Sequence, residues 1–172
     1  MTSQTDILAE PLSGIEVRKL AHEMPTNLLY DNLFHPDSRV ARNAAWVLTH
    51  KTTSEIQTLP HDPLIELATT TSDTSLRRLV LNLVERQLLD KENLRTDFLD
   101  FCLTHMIMLE EPPGVQAFCM KLAYRMCNFY PELLHEFYAT LNMMQAEHYK
   151  PGLSHLIKKY IKLNSASPAS VE

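Results

Sequence analysis

Three side chains able to hold an anion or a planar group recur at every fourth position of the stretch DSRVARNAAWVLTH, which covers residues 37–50. They are Arg42, Trp46 and His50. A guanidinium group donates paired hydrogen bonds to a carboxylate or a phosphate, and an indole ring stacks on a base or anchors a peptide. Because residues four apart share one face of a helix, the three form a stripe opposite the apolar residues of the segment. The stretch therefore predicts a surface that binds a ligand.

Patterns of catalysis and of metal binding are scarce in this chain. Glu132 and His135 have the Glu-x-x-His spacing of di-iron bundles, which require a second such pair and two further carboxylates. The eight histidines include no HExxH pattern and no paired Cys and His ligands, and no GxSxG turn occurs. We therefore expect no metal, no cofactor and no catalytic residue, in a protein that is not an enzyme.

The composition is typical of a globular, cytoplasmic protein, with 45% hydrophobic and 22% charged residues. The N-terminal sequence MTSQTDILAEPLSG lacks the basic and apolar regions of a signal peptide, and no run of about 18 apolar residues predicts a membrane span. Only three glycines occur, which disfavours Gly-rich phosphate loops. Cys102, Cys119 and Cys127 lie within apolar helical patterns, which indicates reduced thiols in a core.

The elements that would position the stripe belong to an internal repeat. DSRVARNAAWVL aligns on DTSLRRLVLNLV 36 residues later, and then on PPGVQAFCMKLA and KPGLSHLIKKYI after 39 and 38 further residues. Each segment begins with a capping or helix-starting residue, and each has apolar residues at helical spacing. The residues at these starts are Asp37, Asp73, Pro113 and Pro151. Four helices are therefore predicted, at 37–51, 73–88, 113–127 and 151–163.

A partner helix is predicted before each of these four. The partners lie at about 15–34 with a break near Pro25, at 63–70 after a short turn, at 96–109 and at 131–148. Together the eight helices make four hairpins, at about 15–51, 52–89, 94–127 and 131–163. We expect these hairpins to stack, because each can bury its apolar face only against a neighbouring hairpin. A single domain of residues 15–163 is expected, with an N-terminal extension of 1–14 and a flexible C-terminal tail of 164–172. A helix within the extension would add a fifth repeat.

DSRVARNAAWVL resembles the second helix of a HEAT repeat, in which an Asp near the start is followed by Val-Arg, a small residue and Leu. DTSLRRLVLNLV keeps the Asp and an apolar-Arg pair at Leu76-Arg77, whereas the first segment has Ala41 at the arginine position. With the period, the resemblance covers residues 15–163. It implies an all-α fold, a short right-handed α-solenoid of about four HEAT-like hairpins. It also implies that the second helices line the concave side, commonly with a binding or scaffolding role.

Charge is segregated between the two kinds of helix. The second helices contain 11 of the 16 Lys and Arg residues and three acids, a net charge of +8, whereas the rest of the chain carries −13. Aligned on one another, they place basic, polar and aromatic side chains on one side, which we call the basic face. Its members are Arg42, Trp46, His50, Arg78, Asn82, Arg86, Lys121, Arg125, His155 and Lys159.

The basic face predicts a scaffold that binds an acidic protein or peptide, and nucleic acid is the other anionic partner to consider. Two further interpretations stay open at this point. Acidic first helices would neutralise the face, or Trp46 would pack in the core.

The layout also resembles the HEAT-like DNA alkylation-repair glycosylases, which implies a basic concave face and aromatic residues that contact a damaged nucleotide. Trp46 matches such an aromatic residue, but the face offers no carboxylate as catalyst, and Glu85 is the nearest. Helical lyases of the fumarase and adenylosuccinate lyase type are disfavoured because their Gly-Ser-Ser-x-Met-Pro loop is missing. The apolar side of LSHLIKKYIKL adds one more expectation, a homodimer through the C-terminal helix if Leu156 and Leu163 stay exposed.

Overall fold

The computed structural model describes residues 3–166, and every α-helix or 3₁₀ turn it assigns there belongs to one of two compact units. The first unit is Met1–Leu88 and the second is Leu89–Glu172. The described residues contain no β-strand, which confirms the predicted all-α fold. No helix among them is long and apolar enough to cross a membrane.

The first unit consists of seven α-helices among its described residues. They are α1 Gln4–Ala9, α2 Gly14–Glu23, α3 Thr26–Asn32, α4 Ser38–Thr49, α5 Thr53–Gln57, α6 His61–Thr70 and α7 Thr74–Arg86. Helix α4 is central, because it packs against α1, α2, α3 and α7, and α6 also packs on α7.

The second unit contains four α-helices and two 3₁₀ turns in its described part. They are α8 Thr96–Ile107, α9 Pro113–Cys127, α10 Pro131–Met143 and α11 Pro151–Ser165, with the turns at Lys91–Asn93 and Ala146–His148. Helix α9 packs against α8, α10 and α11. The exposed fraction of Leu163 on α11 is 42% and Leu156 is half-buried, so a homodimer through this helix stays a prediction. Residues 167–172 of the predicted tail lie outside the described residues.

The helix starts follow the signals in the sequence. Asp37 accepts a hydrogen bond from the Arg39 backbone nitrogen at 2.8 Å, and Asp73 accepts from Ser75 and Leu76 at 3.0 and 3.1 Å. Pro113 and Pro151 stand in the first turns of α9 and α11. These local contacts explain why the four second helices lie where the repeat predicts them.

The N-terminal segment is part of the packed structure rather than an extension outside it. Leu8 of α1 is fully buried, and the Asn43 side-chain amide of α4 donates to the backbone carbonyls of Leu8 and Glu10 at 2.8 and 2.9 Å. Helix α1, which lies before the boundary predicted at residue 15, thus packs with the first unit. The division into two units falls after Leu88, between the second and third predicted hairpins.

Polar side chains close several helix ends in the first unit. Lys51, 9% exposed, donates to the backbone carbonyl of Met24 at the end of α2, with an N–O distance of 2.8 Å. The Arg77 guanidinium donates to the carbonyls of Ala68 and Thr71 at the end of α6. These bonds satisfy carbonyls that a helix leaves open at its C-terminus.

One of these polar groups has a strongly shifted pKa. Hydrogen bonds from the Thr52 hydroxyl and backbone N–H and from the Thr26 hydroxyl, with the Lys51 ammonium 3.5 Å away, lower the pKa of Glu55 to about 2. The bond from the Thr52 backbone N–H, together with the bond that the Glu55 backbone N–H donates to the Thr52 hydroxyl, forms the N-terminal capping box of α5. The bond from the Thr26 hydroxyl ties α5 to α3.

Acid should therefore weaken the first unit through Glu55. A lowered pKa contributes stability that is complete above the unfolded pKa of about 4.3 and is lost as the pH falls towards about 2. Because 40% of the side chain is exposed, we expect about 1 kcal/mol after allowance for solvent screening. Urea unfolding followed by the fluorescence of Trp46, the single tryptophan, measures it. The difference between wild type and Glu55→Gln should shrink between pH 5 and pH 2.5, and a constant difference would contradict this origin.

Candidate binding cleft

A cleft of about 400 Å³ lies on the first unit between α4, α7 and the turn after α1. This volume is within the range of small ligand pockets, about 300–1,000 Å³. Its lining contains three arginines and a tryptophan, and no Asp or Glu. The lining residues are Pro11, Arg39, Arg42, Asn43, Trp46, Ser75, Arg78 and Leu79.

The spacing of these residues explains why they meet. Arg39, Arg42 and Trp46 follow one another by three and four positions on α4, so they share one face of that helix. Arg78 and Leu79 lie on the neighbouring α7, which packs on α4. The third wall is Pro11, whose turn is fixed to α4 by the two hydrogen bonds of Asn43.

Arg42 is only partly engaged by the protein. Its Nε donates to the Ser38 carbonyl at 3.3 Å and lies 3.4 Å from Asp73 Oδ2. Both contacts use Nε, so the two Nη groups keep their donors for a ligand. Asp73 is also the N-cap of α7, and its side chain is less exposed than that of Arg42. An anionic ligand that binds Arg42 would therefore compete with the Asp73 carboxylate of the protein itself.

The other two arginines are freer. Arg39 Nη1 donates to the Ala9 carbonyl over a long 3.4 Å. Arg78 is exposed, and it has no hydrogen bond or ion pair with any residue that the structure describes. A guanidinium carries five N–H donors, so Arg78 presents a complete donor set at the cleft.

Trp46 is half-buried on the cleft wall. Its backbone carbonyl accepts from the Thr49 hydroxyl at 2.6 Å, and its indole N–H has no acceptor among the described residues. The side chain thus offers an aromatic surface and one donor to the cleft.

Three other predicted residues of the basic face lie in this unit but outside the cleft lining. His50 is exposed at the C-cap of α4, and Asn82 is half-buried with an Oδ1 that accepts no hydrogen bond from the residues described. Arg86 donates from Nη1 to the Thr49 carbonyl at 2.9 Å and from Nη2 to the Lys51 carbonyl at 2.5 Å. Its guanidinium closes the C-terminal end of α4 instead of facing the cleft.

The second unit holds the remaining four residues of the basic face. Lys121 and Arg125 of α9 are half-buried, and the Lys121 ammonium lies 5.5 Å from the centre of the Phe118 ring. His155 and Lys159 of α11 are exposed. Each stands on the helix and at the position that the repeat assigns to it.

Five residues of the lining were not predicted from the sequence: Pro11, Arg39, Asn43, Ser75 and Leu79. Arg39 had a usable signal, because it lies three positions before Arg42 and seven before Trp46 and so shares their stripe. Ser75 had the same signal, because it lies three positions before Arg78 on α7, and Leu79 lies four positions after Ser75. No signal in the sequence indicates Pro11 and Asn43, because their position in the lining depends on the packing of α1 against α4, which is distant in the chain.

In a comparison with known families, the model of the HEAT repeat domain matches residues 6–163 of the chain. No curated protein and no solved structure matches the chain. The matched range begins within α1 and ends within α11, so it covers most of each unit and the helices that form the cleft. This chain therefore belongs to the HEAT repeat domain family.

Proposed function

We propose that this protein is a non-catalytic, cytoplasmic HEAT scaffold that binds an acidic protein or peptide through the basic face. One observation carries the proposal: three arginines and Trp46 line a single cleft whose lining residues include no carboxylate. Such a cleft attracts anions and gives them directional donors. The three free, buried cysteines favour a reducing compartment.

A peptide fits the cleft better than a nucleic acid does. Residues 1–88 contain eight Lys and Arg and eleven Asp and Glu, so the positive charge is local. Three of the basic residues, Lys51, Arg77 and Arg86, are engaged in closing helix ends. A nucleic-acid backbone is a long, uniform row of phosphates and needs a longer track of cations. An acidic segment needs only the few guanidinium groups of the cleft.

The residues of the basic face on the second unit are part of the same proposal. Lys121, Arg125, His155 and Lys159 would add a second group of contacts to a longer partner. Two weak contacts held in one chain raise the overall affinity through effective concentration.

Reversal of the charge at Arg78 should reduce binding of acidic peptides by about tenfold or more, because a hydrogen bond to a charged group contributes about 1.5–3 kcal/mol. Arg78→Glu is suitable because the exposed side chain has no partner in the described structure that its loss would disturb. Arg18→Glu is the matched control, an exposed arginine of α2 outside the cleft lining. Fluorescence anisotropy with labelled Glu-rich peptides measures the affinity.

Two additions make the experiment decisive. Asp73→Asn keeps an N-cap for α7 but removes the internal anion beside Arg42, so it should raise the affinity by about two- to fivefold. The affinity for labelled single- and double-stranded DNA and RNA, measured at two salt concentrations, tests nucleic acid as the alternative partner. Nucleic acid that binds more tightly than the peptides, with a steep loss in salt, would overturn the peptide proposal. If Arg78→Glu and Arg18→Glu lost the same amount of peptide affinity, the cleft would not be the binding site.

A further inference from the structure

We propose that the cleft selects a peptide in which a large apolar side chain stands between acidic residues. The apolar side chain contacts Trp46 and Leu79, and the flanking carboxylates bind the arginines on the two sides of the cleft. This inference rests on the proposed function and narrows it from any acidic partner to one pattern of residues.

The volume of the cleft exceeds what carboxylates alone occupy. A cavity of about 150 Å³ accepts a benzene molecule, so about 400 Å³ accommodates an aromatic ring with adjoining backbone. Part of the wall is apolar, since it consists of Trp46, Leu79 and Pro11. A ring placed here removes apolar surface of both partners from water. A purely acidic segment would leave that surface wet and unused.

The arginines are distributed so that anions are favoured on both sides of that ring. Arg39 and Arg42 stand on α4, and Arg78 stands on α7. A carboxylate before the apolar residue and another after it would each meet a guanidinium. Trp46 adds its free indole N–H, which matches a backbone carbonyl of the peptide.

A purely apolar peptide is excluded by the same groups. It would cover guanidinium groups without supplying acceptors, and a desolvated charge without a partner is costly. The side chain and the carboxylates are therefore expected to act together, and the removal of either should weaken binding strongly.

Three labelled peptides with identical Gly-Ser flanks test the pattern, with cores Glu-Phe-Glu, Glu-Ala-Glu and Gln-Phe-Gln. We expect Glu-Phe-Glu to bind about tenfold or more tightly than either of the others, because a buried phenylalanine and a paired carboxylate each contribute on that scale. Anisotropy with the wild-type chain is sufficient, so the result does not depend on the folding of a variant. Trp46→Ala should then remove the advantage of Phe over Ala, whereas Phe34→Ala, an exposed aromatic outside the cleft, should keep it.

The outcomes separate this inference from the proposed function. Equal affinity for Glu-Phe-Glu and Glu-Ala-Glu, both tighter than Gln-Phe-Gln, overturns the apolar anchor and leaves an acidic partner in place. Equal affinity for Glu-Phe-Glu and Gln-Phe-Gln overturns both, because the arginines then contribute nothing. If no peptide binds, and Glu-rich peptides of the earlier experiment also fail, the proposed function falls and this inference falls with it.

Discussion

Replacement of Phe137 by alanine is expected to lower the free energy of unfolding of the second unit by about 3–5 kcal/mol. Phe137 is fully buried, and α10 buries only one other side chain, Leu141. Its ring lies 5.5 Å from that of Tyr124 on α9 and 5.6 Å from that of Tyr160 on α11. A single side chain therefore joins three helices, and its removal opens a cavity between all of them.

Amide hydrogen exchange is the measurement for this variant, because it resolves the helices one by one. Exchange in α10 and α11 should accelerate most. Phe137→Leu is the companion variant, since it restores much of the apolar volume and should recover most of the loss. Exchange rates in α10 that stay at the wild-type value in Phe137→Ala would mean that other contacts hold this helix.

The positions of the helices follow from the sequence because their signals are local. Asp37 and Asp73 cap helices in the structure as their side chains predict, and the break at Pro25 separates α2 from α3. Apolar spacing also predicts the core, because Leu83 and Val84 of α7 are both fully buried. Each of these features depends on residues within about one helical turn.

The cleft follows only partly from the sequence. The repeat places Arg42 and Arg78 at equivalent positions of adjacent helices, with Trp46 four residues after Arg42, and the structure brings these three together at one cleft. The wall at Pro11 depends on α1, which is too short and too polar to stand out in the sequence. Its position follows from Leu8 and Asn43, which are far apart in the chain.

Buried polar side chains are the features that the sequence conceals most fully. Arg86 matches the basic face by position, yet its guanidinium donates to carbonyls of the preceding repeat. Lys51 and Gln87 look like solvent-facing residues at helix ends, and both are buried. Only the tertiary packing decides whether such a side chain meets water or a backbone carbonyl, because the residue type suits either place.

Gln87 gives the strongest test of that point, and its replacement by leucine should cost about 2–4 kcal/mol of unfolding free energy. The side chain is 4% exposed, and its Nε2 donates to the carbonyls of Ile56 and Leu59 at 3.1 and 2.9 Å. Its Oε1 lies 2.7 Å from His61 Nδ1, which must donate because an amide oxygen only accepts. Leucine has a similar size but leaves two buried carbonyls and the imidazole N–H without this partner.

The same substitution at Gln57 is the control, because that exposed glutamine lies on α5 and should tolerate leucine within about 0.5 kcal/mol. Urea unfolding reported by Trp46 fluorescence follows the first unit in both variants. A loss in Gln87→Leu that Gln57→Leu does not share would assign the stability to the hydrogen bonds of the buried amide. Equal stability of the two variants would mean that water replaces the amide at this junction.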